Sequence, residues 1–251
     1  MPKLIILGTS NAIPNPKRDN THMVLVGKER TVLVDCGSNP ILRLREAGVD
    51  FHSLTDLLLT HFHPDHISGA PSLLMNMWLM GRRSPLNIYG LEHTIDRIEK
   101  LMDLYGWTEW PDFFPVTFHR LPSEEQASVM ACDEFLVLSS QVEHMIPVIG
   151  LRFEIKNTHQ AVAYSCDTEP CGQVIRLAEG ADVLLHEASG AFHGHSSAAQ
   201  AGEIAKQAHV KALYLIHFPS DKKPKELIAE ARQHFDGPVK VTKDFMRLEF
   251  G

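Results

Sequence analysis

The stretch HFHPDH places four metal-ligand side chains, His61, His63, Asp65 and His66, within six residues. Imidazole nitrogen and carboxylate oxygen are borderline-to-hard donors that suit zinc and related divalent ions. A single histidine is most often a satisfied core or surface residue. Four such donors spaced HxHxDH directly after the apolar run LLLT are what a metal-binding turn at a strand end requires. They cannot close two metal sites alone, so further donors must come from elsewhere. Three candidates follow predicted strands: His144 in QVEHMIPVIG, Asp167 in AVAYSCDT and His217 in ALYLIHF. Each taken singly is as compatible with a structural role. With HxHxDH they make a set able to hold two ions that share a carboxylate.

The elements that must carry these residues are legible from periodicity. Short apolar or β-branched runs predict strands over 3–7, 22–26 and 31–35, and the run LTDLLLT predicts a buried strand over 54–60 that leads into a histidine-rich loop. PILRLREAG has helical spacing and a glycine stop, so 40–48 reads as a helix, as do 72–80 and 93–105. A strand is expected over 86–89. Residues 105–115 (YGWTEWPDFFP) are aromatic and proline-broken, and read either as a lid or pocket wall, or as a loop capping the core. Several strands follow, including a hairpin of 151–155 with 161–165. From Thr168 onward the pattern alternates: a helix, a strand over 183–186, a helix over 197–208, a strand over 212–216, a helix over 224–235 and one last strand. Sheets with helices packed outside them, a layered α/β domain spanning 1–251, are the expected result.

The chain has 251 residues, 44% of them apolar and 22% charged, which is globular stock. Its longest apolar tract, 73–80, is interrupted by Asn76 and falls short of the roughly 18 residues of a membrane span. Four cysteines without a CxxC pair suit a reducing cytoplasm. The formal net charge is −7, so gripping nucleic acid would require a local basic patch. Two Lys/Arg pairs could contribute, Lys17 with Arg18 and Arg82 with Arg83.

HFHPDH, His144, the YSCDT aspartate and the LIHF histidine together resemble the metallo-β-lactamase superfamily. LGTSNAIPNPKRDN, VDCG, GRRSPLNIYG, LLHEAS and GHSSAAQAGEIAKQAHVKALYLIHF resemble the motifs of its ribonuclease Z branch, in order and nearly end to end. The resemblance implies an αββα sandwich, two central mixed β-sheets with helices on the outer faces. It implies two zinc ions (manganese or iron as alternatives), one held by His61, His63 and His144 and the other by Asp65, His66 and His217, with Asp167 bridging. Such a centre would lower the pKa of a bridging water and offset charge on a phosphoryl group, with Asp65 also orienting the nucleophile. The same resemblance makes His195 of GHSS the general acid and Glu187 of LLHEAS its orienting partner. Alone, a histidine before Ser-Ser reads as a loop residue, with Ser196 or Ser197 capping the next helix. His186 and His193 read as structural.

Four positions depart from that branch's pattern: Cys166 stands where glycine is usual, Pro64 where a small residue is common, and Ser189 and Ser197 where threonine is typical. The larger departure is the short interval between His144 and Asp167. It leaves room for a hairpin and none for the protruding arm that ribonuclease Z enzymes use on tRNA. The implied substrate is therefore a small phosphodiester or an RNA 3′ end, with Lys17 and Arg18 as candidate phosphate contacts and a homodimer as a further expectation. Carboxylic-ester, lactone or sulfate-ester hydrolysis on the same centre, or a non-catalytic metal-binding sensor, are the alternatives.

Overall fold

The computed structural model describes residues 1–250. The first half comprises β1 (Lys3–Gly8), β2 (His22–Val26), β3 (Thr31–Val34), α1 (Pro40–Glu46), β4 (Asp56–Leu58), α2 (Pro64–Ile67), α3 (Ala70–Leu79), β5 (Leu86–Leu91), α4 (Glu92–Leu104) and β6 (Val116–Leu121). The second comprises β7 (Ala127–Ala131), β8 (Phe135–Val142), β9 (Val148–Ile155), β10 (Gln160–Tyr164), α5 (Gly172–Ala178), β11 (Val183–Glu187), α6 (Ala198–Gln207), β12 (Leu213–Ile216), α7 (Pro224–Ala231), β13 (Val239–Val241) and finally β14 (Arg247–Glu249). They build two seven-stranded sheets, ordered β14-β1-β2-β3-β4-β5-β6 and β13-β12-β11-β10-β9-β8-β7. Both are mixed. β3 to β6 are parallel in the first and β10 to β13 in the second, and the remaining pairs are antiparallel.

Strand periodicity explains the layering. In β1, Leu4 and Ile6 join the core shared with Phe135 and Phe153 of the second sheet. Their neighbours Ile5 and Leu7 pack instead with Leu44, Leu73 and Ile95 of the helices behind. Successive side chains point to opposite faces, so a strand covered on both sides reads as a continuous apolar run. The result is the four-layer sandwich. Helix boundaries follow local chemistry. Asn39 accepts a hydrogen bond from the Leu42 N–H ahead of Pro40, and α1 stops at Gly48, where φ is +72°. Ser197, not Ser196, caps α6, through a capping box with Gln200.

Several expectations need correction. HxHxDH does not lie wholly in a loop: Pro64–Ile67 is one helical turn, which accounts for proline at its first position. The strand expected over 54–60 is paired only at Asp56–Leu58, after which the chain stays extended toward His61. The C-terminus carries two strands, because the chain crosses from β13 to place β14 on β1. The aromatic segment caps the core behind the first sheet: Trp110 stacks on Trp78 at 5.0 Å, the Trp78 indole donates to the Pro111 carbonyl, and Phe114 is buried.

Arg82 is no phosphate contact. It is 3% exposed and donates to the carbonyls of Ser84, His52, Leu54 and Pro85, pinning the turn that leads into β5. Arg82→Ala should therefore cost about 2–4 kcal/mol by stranding buried carbonyls, while Arg83→Ala stays within about 0.5 kcal/mol. Chemical denaturation of the two variants checks this. Equal, small shifts would remove the structural role.

Candidate metal centre

The donors converge from the ends of strands. His61 follows β4 by way of Leu59 and Thr60, and His63 caps α2, whose single turn presents Asp65 and His66. His144 comes after β8, Asp167 after β10 and His217 directly after β12. His61 and His217, 156 positions apart in the chain, thus meet beyond the strand ends of the two sheets.

Their inward atoms fall into two groups. His63 Nδ1 lies 3.0 Å from His61 Nε2 and 3.1 Å from His144 Nε2. Asp65 Oδ2 lies 3.4 Å from both His66 Nε2 and His217 Nε2. Asp167 Oδ2 stands between the groups, 3.5 Å from His66 Nε2 and 3.9 Å from His61 Nε2. Nitrogen ligands 2.0–2.1 Å from a tetrahedral ion have donor–donor edges of about 3.3 Å. Hydrogen bonding cannot replace the ion, because His63 Nδ1 meets two imidazole nitrogens and holds at most one proton. His66 Nε2 and Asp167 Oδ1 are buried without any hydrogen-bond partner. The residues fit two divalent ions.

A surrounding set of partners fixes the rings. Asp35, buried after β3, accepts from His66 Nδ1–H at 2.8 Å and from the Thr60 N–H at 2.8 Å. The Thr60 hydroxyl donates to Asp35 and stands 3.0 Å from His61 Nδ1, with Cys166 Sγ 3.7 Å from the same nitrogen. His144 Nδ1–H donates to the Gly194 carbonyl at 2.6 Å. His217 Nδ1–H donates to the Ser189 hydroxyl, which itself donates to the His217 carbonyl. Holding one ring nitrogen in this way turns the other toward the ion. Sequence reasoning assigned Asp35 no role. Its signal, an aspartate after the strand TVLV in VDCG, was present.

The surroundings of the two groups shift His61, His63 and His144 in one direction and His66 in the other. Burial, aided by His66, pushes His61 well down; burial lowers His63 and puts His144 at about 4. Burial also opposes charge on His66, yet Asp167 and Asp35 outweigh it and raise His66 well above the ordinary histidine value.

Beside the ligands stands a buried dyad. Glu187 ends β11, and burial pushes its carboxyl up, but it accepts N–H bonds from His195 Nδ1, Thr168 and Ser189 at 2.9, 2.9 and 3.0 Å. These three donors favour the ionised form and so oppose the effect of burial. Burial alone would lower His195, and the Glu187 bond and charge raise it instead. The His195 ring lies parallel to His217 at 5.9 Å and edge-on to His144 at 4.9 Å, so it overlooks both groups. His186 is buried and donates to the Glu187 carbonyl. Arg18 lies 4.7 Å over the ring of Phe218, next to His217, with its Nη1 buried and unpartnered. Lys17 is exposed on the same loop and is not brought into contact with the donors.

The four departures have local explanations. Cys166 adopts φ +53°, the conformation a glycine favours, and its thiol fills space behind His61. Pro64 starts α2, Ser189 orients His217 and Ser197 caps α6.

Residues 2–240 match the family described as anti-Pycsar protein Apyc1. A curated ribonuclease Z of Methanothermobacter thermautotrophicus is 29% identical across 99% of this chain and 97% of its own. That alignment spans 303 residues, more than this chain's 251, so the relative carries residues with no counterpart here. Among solved structures, the metallo-β-lactamase fold protein YhfI of Bacillus subtilis superposes with a TM-score of 0.84 at 23% identity, covering 98% of each chain. The short form of human tRNase Z gives 0.80 at 26% identity, covering 99% of each. The architecture is the metallo-β-lactamase fold.

The protonation difference predicts how ions load. His61, His63 and His144 are already neutral near pH 7, so binding there should be nearly independent of pH in that range. His66 must first lose a proton, so affinity at its group should rise with pH until its own raised pKa is passed. Calorimetric titration in two buffers of different ionisation enthalpy should give two ions per chain, with about one proton released for only one of them. Release of none, or saturation at one ion, contradicts this.

Proposed function

The chain belongs to the anti-Pycsar protein Apyc1 family, and from that premise we propose that it is a dinuclear zinc hydrolase of phosphodiesters, ribonuclease Z-like in its chemistry. The observation that carries the reading is the His195–Glu187 pair standing over the seven-donor cluster. His61, His63 and His144 would hold one ion, Asp65, His66 and His217 the other, and Asp167 would serve both. The nitrogen-rich set favours zinc, with manganese or iron as substitutes. Two such ions, when bound, lower the pKa of water toward neutrality and offset charge on phosphoryl oxygens.

The remaining work falls to the chain's own groups. Asp65 orients the attacking water. His195, with Nδ1–H committed to Glu187, presents Nε2 to the leaving oxygen and delivers its proton there, while Glu187 stabilises the imidazolium beforehand. Arg18, held over Phe218 next to His217, would meet a phosphate oxygen, with Lys17 as a second cation on the loop. That loop is braced: Asp19 donates its N–H to Asp244 and accepts from the Ser38 hydroxyl.

Small phosphodiesters or RNA 3′ ends fit better than whole tRNA. The interval between His144 and Asp167 holds only the β9–β10 hairpin, Arg82 is internal, and the net charge is −7. We take residues 1–251 as one hydrolase domain working in the cytoplasm. A homodimer would cover the apolar side chains Met75, Leu79, Leu104 and Tyr105 that α3 and α4 leave exposed.

His195→Ala should lower the rate on diesters with poor leaving groups by roughly 10²–10⁴-fold and act far less on bis(p-nitrophenyl) phosphate, whose leaving group needs little protonation. Equal losses on both would leave His195 a structural residue. Whole precursor tRNA should bind weakly at physiological salt, and cleavage should not favour it over a short 3′-terminal fragment. Submicromolar binding with preferred cleavage of the intact tRNA would refute the small-substrate reading.

A further inference from the structure

Glu169 lies two residues beyond Asp167 and touches neither a metal donor nor the His195 ring. Its backbone N–H donates to the Glu143 carbonyl at 2.8 Å, fixing it beside the residue that precedes His144. One carboxylate oxygen, Oε1, accepts the Gly194 N–H at 2.8 Å and His193 Nδ1–H at 2.9 Å. The Gly194 carbonyl in turn accepts His144 Nδ1–H at 2.6 Å, and the next residue is His195. Gly194 has no slack: φ is +81°, and a Cβ there would lie 2.7 Å from His144 Nδ1 and 3.1 Å from Met145 Cγ. The rest of the turn is held by its own backbone, through Phe192 N–H to Gly190 and His195 N–H to Phe192, and by the Ser196 hydroxyl, which donates to the Thr168 carbonyl at 2.7 Å. Phe192 and His193 at its tip are exposed. Glu169 is thus the side chain that ties the Gly194 end of this turn to the body of the protein, as Ser196 ties its other end.

We propose that Glu169 is a positioning residue that, through the Gly194 backbone, sets the orientation of His144 as a metal ligand and of His195 as the proton donor together. This rests on the phosphodiesterase reading only for the role of His195. A single residue, hydrogen-bonded through both of its backbone groups, thus serves two different tasks, so loosening it disturbs metal affinity and proton delivery in one step.

The test compares Glu169→Ala with Glu169→Gln, whose amide oxygen accepts the same two N–H bonds. Chelator competition with zinc should show one of the two affinities falling by about 10–100-fold in E169A, with the other unchanged. The rate on a diester with an alkyl leaving group should fall further than that on bis(p-nitrophenyl) phosphate. E169Q should keep both properties near those of the parent protein. Unchanged affinities in E169A, a change in only one of the two readouts, or an E169Q as impaired as E169A would each overturn the proposal. Chelator competition needs no substrate, so the ligand-orienting half is decided separately from whether the protein hydrolyses either ester. Failure to hydrolyse both would count against the phosphodiesterase reading itself.

Discussion

The site answers to one constraint: seven side chains each bring a lone pair within 3.0–3.9 Å of a neighbour's in a largely buried space. Without cations such a cluster is costly, because crowded acceptors lack protons to share and burial removes the water that would solvate them. Divalent ions relieve it, and while they are absent the carboxylates must. Asp167 and Asp35 favour a proton on His66, raising it against the effect of its burial. Asp35 also accepts from Thr60, so the residue that prepares one group of donors steadies the strand end that carries the other.

The backbone pays for this convergence in conformational strain. Asp35, Cys166 and His217 have φ of 60°, 53° and 49°, all left-handed and none of them glycine. Each follows a parallel-run strand, β3, β10 or β12, within two residues, where the chain must turn sharply over the sheet end. Outliers of this kind cost about 1–3 kcal/mol each and persist where surrounding contacts over-determine them. Here the contacts are visible. Asp35 is held by His66 and Thr60, His217 by Ser189 at both its ring and its carbonyl, and Cys166 by complete burial against His61. Replacing the usual glycine by Cys166 adds strain and gains a side chain that backs a ligand.

What was legible in the sequence was what is local. HxHxDH announces itself because four donors fall within one strand end and one helical turn. The strands carrying His144, Asp167 and His217 have clear apolar runs. Asp35, Thr60 and Gly194 were not assigned roles because their partners are distant in the chain: 31 positions separate Asp35 from His66, and 50 separate Gly194 from His144. Arg82 was misread for the complementary reason. A basic pair looks like surface until the four carbonyls that bury one member of it are seen. Proline at position 64 signalled a helix start, but a four-residue helix is too short to produce the periodicity by which helices are recognised.

The rim of the cleft bears on which substrates it admits. Beside His144 and His195 the exposed side chains include Met145 and Phe192, at 51% and 55% exposure, along with the polar Glu143 and His193; the Phe192 ring lies 4.7 Å from that of His195. Arg18 and Lys17 follow one another on one short loop, with Arg18 over the Phe218 ring next to His217. A polyanion gains affinity by neutralising many phosphates along an extended track, each releasing counterions, and one pair of cations provides little of that. A compact phosphodiester needs far less: one phosphate at the ions, one guanidinium, and apolar surface for whatever the phosphate carries.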